Sequence, residues 1–398
     1  MIDIRSKELC CGCSACRQAC PKQCIKMEYD LEGFLYPVVD RLACVGCNQC
    51  IKVCPMKNVE KKNESVIAAY AAFAIDEEVR IKSSSGGLFT CFAEEILNSG
   101  GIVFGAAFDE KQEVHHILIK SRDSLELVRG SKYIQSRIEN TYKEAEEALS
   151  EGKKVLFTGT ACQISGLKSY LGRDYPELYT VDVLCHGAAP VKLWKRYLTE
   201  QEKKYGAAVV NICFRQKDLG WKKYSVELCF DNKCSYQQSY KEDSFMQMFL
   251  SNICLRPSCH NCKFKSLNRD SDITIGDAWG IDKFMPEMDD DKGTSVVIVH
   301  STKGRLLLRK IQDAVVIKEG EIEKLLPFTS DSRRQVKPHR NRERLFKDLE
   351  EGGDWNEMLL LLSPTYIDKI KKILKIKCPG FYAFVSTKYI RKDKFDAT

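Results

Sequence analysis

The middle of the chain alternates between short apolar runs and longer segments with one apolar face. Apolar runs that end at small or polar residues predict buried strands at 66–74, 102–108, 115–120, 153–160, 178–187, 272–280 and 294–300. Amphipathic helices are predicted between them, at 82–101 (where a Ser/Gly-rich loop leads into the helix), 141–152, 161–171 and 189–206. Residues 208–240 alternate as antiparallel strands do. This order predicts an α/β domain with a mixed sheet.

Changes in pattern divide the chain into three parts. A polar stretch at 57–64 has the composition of a linker, and the pattern changes again after about residue 350. We therefore predict a cysteine-rich module at 1–58, an α/β domain at 65–345 and a basic helical tail at 350–398. The predicted fold class is a mixture of α+β and α/β.

The tail carries much of the net charge of +7, because residues 365–398 hold nine Lys and Arg against three Asp. Its apolar residues fall on one side of a helix and its lysines on the other, and the apolar set is Ile367, Ile370, Ile373 and Leu374. Such a helix can lie on an anionic membrane surface, or it can pack on its own domain. The rest of the chain is nearly neutral, which does not indicate nucleic-acid binding.

Cysteine is the unusual feature of the composition. The 398 residues include 20 cysteines, ten of them within the first 54 residues, while the 44% hydrophobic content is ordinary for a folded protein. The N-terminus has no apolar leader, and the longest aliphatic run near the other end, 358–362, is far below the roughly 20 residues that cross a bilayer. We expect a cytoplasmic protein whose cysteines hold metal rather than form disulfides.

The string C-x2-C-x2-C-x3-C-P occurs twice in the N-terminal module. Three closely spaced thiolates can bind three iron atoms of one cubane, while the proline turns the fourth cysteine toward a second cluster. The pattern therefore predicts two 4Fe–4S clusters with exchanged fourth ligands. One set is Cys10, Cys13, Cys16 and Cys54, and the other is Cys44, Cys47, Cys50 and Cys20.

A zinc domain is the alternative interpretation of this module. Zinc sites usually combine two C-x2-C pairs or include histidine, whereas no histidine precedes His115. The matched quartets and both prolines favour iron–sulfur clusters. Cys11 and Cys24 remain outside the pattern, and Cys11 is expected to pack beside a cluster.

Four segments of the α/β domain carry candidate chemistry. Ser83–Gly87 lies between a strand and a helix, where N–H groups and hydroxyls suit a phosphate or a flavin carbonyl. Cys162 begins a helix after a buried strand, and Cys185 with His186 follows another, so both cysteines are expected at one sheet edge. Cys259 and Cys262 form a C-x2-C pair, for which a structural zinc site, with His186 or His260 as ligands, is the alternative.

These segments follow one another as in the coenzyme F420 hydrogenase/dehydrogenase beta-subunit family, which the chain resembles from residue 1 to about 300. The resemblance rests on the doubled cysteine string and on SSSGG, KYIQS, FTGTACQ, VDVLCHG, PSCHNCKFK and DITIGDAWG. It implies a ferredoxin-type dicluster domain followed by an α/β flavin-binding domain, with FAD as cofactor. Ala161 stands where the family usually has proline, and AAP follows the CHG string, which leaves the substrate open.

The resemblance also implies roles for individual residues. The residues expected near the flavin are Ser84, Ser85, Gly86, Gly87, Tyr133, Gln135, Ser136, Gly276 and Asp277. A third 4Fe–4S cluster is expected beside it, with Cys162, Cys185, Cys259 and Cys262 as our inferred ligands. Two residues are expected to be catalytic: Lys132 would favour an anionic reduced flavin by its charge, and His186 would donate a proton or lie next to the cluster.

Three functions remain open at this stage. The favoured one is a flavin-dependent oxidoreductase that moves electrons between an external low-potential carrier and coenzyme F420 or a related small molecule. The second is an electron-transfer subunit serving a partner enzyme, since relatives often occur beside surface-polysaccharide genes. The third is a cluster protein without catalytic activity. A flavin joins one-electron and hydride chemistry, and a bound flavin would exclude the third.

Overall fold

The computed structural model describes residues 1–58 and 66–364. Its N-terminal module combines an antiparallel hairpin with two very short helices. The hairpin pairs β1 (Ile25–Tyr29) with β2 (Leu35–Val39), and the helices are α1 (Ala15–Gln18) and α2 (Gln49–Lys52). Each helix lies within one of the two cysteine strings, before its fourth cysteine, so the sequence repeat is also a structural repeat.

The main domain has an eight-stranded sheet in the order β13-β3-β12-β11-β7-β6-β4-β5. The central strands β4, β6, β7 and β11 are parallel, and the flanking strands are antiparallel, as the predicted mixed sheet requires. A second sheet, in the order β10-β9-β8, is antiparallel. The strands are β3 (Ala68–Ala74), β4 (Ile102–Phe108), β5 (Val114–Ile119), β6 (Val155–Thr160), β7 (Leu178–Val183), β8 (Val209–Gln216), β9 (Ser225–Phe230), β10 (Ser235–Ser239), β11 (Ile273–Asp277), β12 (Ser295–Val299) and β13 (Val315–Glu319).

Helices cover both faces of the large sheet. The helices of the main domain are α3 (Glu77–Ile81), α4 (Leu88–Asn98), α5 (Leu125–Val128), α6 (Thr141–Ser150), α7 (Ala161–Leu171), α8 (Val191–Tyr205), α9 (Ser244–Leu250), α10 (Pro257–His260), α11 (Thr302–Lys310), α12 (Ile322–Leu325), α13 (Arg342–Glu350) and α14 (Trp355–Leu360). Leu156 of β6 packs with α4 and α11, whereas its neighbours Val155 and Phe157 pack with α6 and α7. Because successive strand residues point to opposite faces, these helix pairs lie on opposite sides of the sheet.

The N-terminal module packs into the main domain rather than beside it. Cys13 and Ala15 join the core under α6 and α7, and Phe34 joins an aromatic core around the fully buried Trp194. Arg342 of α13 forms a bidentate ion pair with Glu32 of the module. Because residues of the N-terminal module are buried in cores shared with the main domain, the two form one packed body.

The predicted tail is described only up to residue 364. Trp355 and Met358 of this segment are buried in the aromatic core, so residues 350–364 belong to the packed domain. The predicted basic helix around Ile367–Leu374 and most of the predicted linker at 57–64 lie outside the described residues. Within the described ranges, every helix is too short or too polar to cross a bilayer.

Candidate functional site

The eight motif cysteines of the N-terminal module gather around two small cavities. One is lined by Cys10, Cys13, Cys16 and Cys54, and the other by Cys20, Cys44, Cys47 and Cys50. The structure thus brings the cysteines together in the exchanged arrangement expected from the spacing. Cys24 also reaches the second cavity, where its Sγ lies 3.4 Å from Sγ of Cys20.

The same backbone geometry builds both loops. Gly12 and Gly46 have φ of 72° and 69°, and Ser14 and Asn48, which precede α1 and α2, have φ of 62° and 61°. Left-handed residues bend the chain sharply, so that cysteines three positions apart can point into one cavity. Sequence reasoning found the cysteines but not these bends.

A large cavity of about 560 Å³ opens at the carboxyl ends of the parallel strands. Such an edge is the usual ligand site of α/β sheets. All but one of the residues expected in this region from the sequence line the cavity, namely Ser84, Ser85, Gly87, Lys132, Tyr133, Gln135, Ser136, Cys162, Cys185, His186, Cys259, Cys262, Gly276 and Asp277. Gly86 lies behind the residues that line the cavity. Its backbone is packed so closely against β3 that a Cβ atom at this position would fall 2.5 Å from the carbonyl oxygen of Ala72.

Four cysteines from distant parts of the sequence meet in this cavity. Burial, and then charge repulsion from Cys259, Cys162 and Cys262, raise the pKa of Cys185, so the four thiols are close neighbours. Burial, and then the neighbouring thiols, raise the pKa of Cys259 to about 12. Several thiolates in one buried pocket need a cation among them, which an iron–sulfur cluster provides. The donor set therefore fits a cluster.

The arrangement differs from that of a mononuclear site. Among residues 1–58 and 66–364, no group of three or more His, Cys, Asp or Glu side chains is placed to hold a single metal ion. A cubane distributes its four thiolates over four iron atoms, so its ligands stand further apart than those of one ion. His260, the alternative ligand, is instead turned toward the backbone, with Nδ1 3.0 Å from the carbonyl oxygen of Val336.

Cys11 connects the N-terminal module to the large cavity. It lines both the large cavity and the one formed by Cys10, Cys13, Cys16 and Cys54. Its thiol is in hydrogen-bond contact with Cys13 and Cys162, and the Cys13 contact raises the pKa of Cys11 most. The two cysteine sets are therefore neighbours, with Cys11 between them, as its expected position beside a cluster implies.

Arg256, which the sequence reasoning missed, holds three segments together at this junction. Although its side chain is buried, it donates to the carbonyl oxygens of Cys10 (2.8 Å) and Leu35 (3.0 Å) and to Oε1 of Gln135 (3.0 Å). Gln135 also accepts from the backbone N–H of Leu35. Gln135, which is expected near the flavin, lines the large cavity, and its amide oxygen is used at the interface with the N-terminal module.

The opposite end of the cavity is lined by the Ser83–Gly87 loop and the start of α4. Gly87 precedes this eleven-residue helix with φ of 88°, and no side chain in the described residues caps it there. Leu88 and Phe89, the first helical residues, line the cavity. Free N–H groups at a helix N-terminus favour a negatively charged group. This end of the cavity fits a phosphate of a dinucleotide cofactor.

Lys217 fixes the position of that loop. Its ammonium group donates to three backbone carbonyls, those of Arg80 (2.8 Å), Ser85 (2.7 Å) and Lys292 (2.7 Å). Ser84 Oγ accepts hydrogen bonds from the N–H and hydroxyl of Ser131, at 2.7 and 2.9 Å. The loop is thereby tied to the segment that contains Lys132 and Tyr133.

Lys132 and Ser136 are positioned by neighbours that the sequence did not reveal. Lys132 Nζ donates to the carbonyl oxygen of Arg129 at 2.9 Å, and burial lowers its pKa to about 8. His116 bridges Ser136 Oγ (2.7 Å) and the carbonyl oxygen of Thr158 (3.0 Å), and burial lowers the pKa of His116 to about 4. A neutral His116 donating to Thr158 therefore accepts the hydroxyl hydrogen of Ser136.

Asp277 is paired rather than free. Both of its carboxylate oxygens accept from Arg215 at 3.0 Å, and one also accepts from Nε1 of Trp221 at 2.9 Å. Arg215 is buried and also contacts the hydroxyl of Tyr133 at 3.3 Å. The indole of Trp279, in the same DAWG string, lines the cavity and is 47% exposed. This corner of the cavity therefore contains a flat aromatic side chain beside an arginine whose charge is balanced by Asp277.

His186 lies between the cysteines and an aromatic ring. Its ring centroid is 5.1 Å from that of Phe249, and burial lowers its pKa. Its Nε2 is buried, and no residue in the described ranges forms a hydrogen bond with it. A neutral imidazole with an unused nitrogen at the cavity wall can exchange a proton with a bound molecule.

Comparisons with known proteins agree on the two parts of the chain. The model for a 4Fe-4S dicluster domain matches residues 9–58. Two further models describe the N-terminal and C-terminal parts of the coenzyme F420 hydrogenase/dehydrogenase beta subunit. They match residues 69–142 and 152–325, and together they span more than half of the chain.

One similar solved chain comes from the F420-reducing NiFe hydrogenase complex of Methanosarcina barkeri. It has 20% sequence identity and a TM-score of 0.46, over 75% of this chain and 92% of that chain. No curated protein matches the sequence.

Proposed function

Because this chain belongs to the coenzyme F420 hydrogenase/dehydrogenase beta-subunit family, we propose that it is an iron–sulfur flavoprotein oxidoreductase. It is an iron–sulfur electron-transfer protein by its dicluster domain and its family. The finer proposal is that it binds FAD and a third 4Fe–4S cluster in the large cavity. It would then reduce or oxidise coenzyme F420 or a related small organic molecule.

One observation supports this proposal above the others. The cysteines Cys162, Cys185, Cys259 and Cys262 share one cavity with the Ser83–Gly87 loop and the segment from Lys132 to Ser136. A cluster and a flavin held there would be adjacent. FAD, when bound, supplies the exchange between single electrons and hydride that such an enzyme needs.

In this proposal, individual residues of the chain have distinct roles. The N-terminus of α4 and Ser84 bind the phosphate end, and Lys217 holds their loop in place. Lys132 places a positive charge in the cavity, and His186 holds or releases a proton at Nε2. Cys11 lies between two cysteine sets, at the contact between module and domain.

The substrate would bind at the exposed face of Trp279. This indole lies at the cavity wall, with the guanidinium carbon of Arg215 5.3 Å from its ring centroid, and a planar conjugated ring can stack on it. Asp277 neutralises Arg215, which leaves this corner without an isolated charge. The corner therefore favours a flat ring system, as a deazaflavin has.

A second candidate function is that of an electron-transfer subunit for a partner enzyme. Cys47 of the N-terminal module is exposed, so a cluster held there would be accessible to another protein. This function shares the clusters and the flavin with the first. The two differ in whether the isolated chain reduces an added small molecule.

The test is anaerobic purification of the full chain, with iron, sulfide and flavin measured per chain. About twelve irons and one FAD are expected, against about eight irons if only the N-terminal module is loaded. Reduced protein is then mixed with coenzyme F420, and its absorbance is followed. Absence of flavin would contradict the proposal, and a flavin-containing chain inert toward small acceptors would favour the subunit function.

A further inference from the structure

One loop of the N-terminal module, residues 40–49, projects into solvent. Every residue of this loop is exposed except the half-buried Cys44. It carries two cysteines of the Cys20, Cys44, Cys47 and Cys50 set. The other set contacts the large cavity, because Cys11 and Gly12 line both cavities. The set containing Cys47 is therefore the outer one.

The outer loop exposes apolar side chains that nothing in the described residues covers. Leu42 is 100% exposed, and Val45 is 61% exposed. Val38, at the adjoining end of β2, is also exposed. We call this surface, with Lys22, Arg41 and Lys52 added, the outer face. Apolar residues clustered at a cofactor edge are typical of surfaces that contact another protein.

The charge on the outer face is positive. Lys22 lines the outer cavity, and Arg41 and Lys52 are exposed. Within the part of the chain that the structure describes, no carboxylate lies at ion-pair distance from any of these three cations. Asp30, another carboxylate of the module, is paired with Lys7. The carboxylate of Asp40 instead accepts the backbone N–H groups of Leu42 and Ala43.

Asp40 thereby shapes the loop. Lys22 and Val45 line the same small cavity, Arg41 directly precedes Leu42, and Lys52 ends the short helix that follows the loop. Such a pattern attracts a negatively charged partner at long range and then holds it through a small apolar contact. Contacts between electron carriers are characteristically small and transient, which suits this limited surface.

We propose that the outer face is the docking surface for a small acidic iron–sulfur electron carrier. Carboxylates around the carrier's own cluster would face Lys22, Arg41 and Lys52, and its apolar centre would contact Leu42 and Val45. This inference rests on the proposed function, because it requires a cluster on the outer cysteine set. It adds the partner's chemistry and the side of the molecule where electrons are exchanged.

The experiment measures binding of a small acidic two-cluster ferredoxin to the anaerobically purified full chain. The double variant Lys22→Glu and Arg41→Glu should bind it at least about tenfold more weakly at low ionic strength. Binding to the unaltered chain should weaken markedly toward about 0.15 M salt, where charges more than about 8 Å apart are screened. Leu42→Ser, a change at a fully exposed position, should weaken binding without altering the charge.

The matched control is Arg305→Glu with Arg309→Glu. Both residues are exposed on α11, across the sheet from the helices that contact the N-terminal module. This variant has the same charge change and should bind the ferredoxin as the unaltered chain does.

Iron content distinguishes a failure of the proposed function from a failure of the docking surface. A chain that purifies without iron contradicts the proposed function. An iron-replete chain contradicts the docking surface if it does not bind the ferredoxin, or if the outer-face variants and the α11 variant bind it equally well.

Discussion

The indole rings of Trp221 and Trp279 stack face to face, with centroids 4.5 Å apart and planes 5° from parallel. Trp221 is 1% exposed and is fixed by its hydrogen bond to Asp277, whereas Trp279 is 47% exposed and lines the cavity. The buried ring thus holds the exposed ring in one orientation. A rigid aromatic face loses little entropy when another ring stacks on it.

Trp279→Ala should therefore weaken binding of coenzyme F420 to the flavin-loaded protein by about three- to tenfold. Trp279→Phe should retain most of the affinity, because it keeps a flat ring at the same place. Quenching of tryptophan fluorescence during titration gives the dissociation constants. Equal affinities for the Ala variant and the unaltered chain would show that the ring binds elsewhere.

Cys259→Ala should remove about four irons per chain and leave the N-terminal clusters in place. The physical reason is that Cys259 shares its pocket with three other thiols, and a cubane with three protein ligands is easily lost. Iron and sulfide analysis under nitrogen gives the result. Cys254→Ala is the control, because Cys254 is buried in the aromatic core and does not line the cavity. Unchanged iron in Cys259→Ala would mean that Cys259 is not a ligand.

Lys132 should influence the potential of the bound flavin in a pH-dependent way. Burial lowers its pKa to about 8, so the side chain is charged below that pH and loses its charge above it. A nearby cation stabilises the negative charge of a reduced flavin. Lys132→Met should lower the flavin midpoint at neutral pH by an amount on the order of 50 mV. The difference from the unaltered chain should shrink above pH 8.

Redox titration with absorbance detection measures this effect, and Lys111→Met, at an exposed position, is the control. A constant difference between Lys132→Met and the unaltered chain across the whole pH range would mean that the charge of Lys132 is not responsible.

His116 should make the protein sensitive to acid. Its pKa is about 4 in the folded chain against an ordinary value of 6.5, because burial disfavours the charged ring. Between these values the unfolded chain binds a proton that the folded chain does not, so the free energy of unfolding falls as pH falls. The full loss below pH 4 is of order 3 kcal/mol.

Urea unfolding at several pH values tests this expectation. His116→Gln, which does not titrate, should show a shallower dependence below pH 6.5 than the unaltered chain. The control is His115→Gln, since His115 faces Glu139 rather than the buried serine. Identical pH slopes for His116→Gln and the unaltered chain would contradict the role of His116.

The sequence predicted those parts of the site that depend on local spacing. The cysteine strings, the Ser/Gly loop and the individual strands and helices are set by residues close together in the chain. The contacts of Arg256 and Arg215 join residues up to 246 positions apart, so no short motif reveals them. Gln135 and Gly86 show the same limit. Both match a motif, but the motif did not reveal that the amide oxygen of Gln135 is used at the interface with the N-terminal module or that Gly86 supports the loop from behind.

The three hydrogen bonds of Arg256 also bear on how the protein can be divided. The Arg256 side chain binds the backbone carbonyls of Cys10 and Leu35 from a position three residues before Cys259. The N-terminal module is therefore held against the main domain and cannot move as a separate electron carrier. Excising the first 58 residues would leave a buried guanidinium with only Gln135 of its three acceptors and would open the cavity to water. The N-terminal module and the main domain therefore form one structural unit rather than two separable parts.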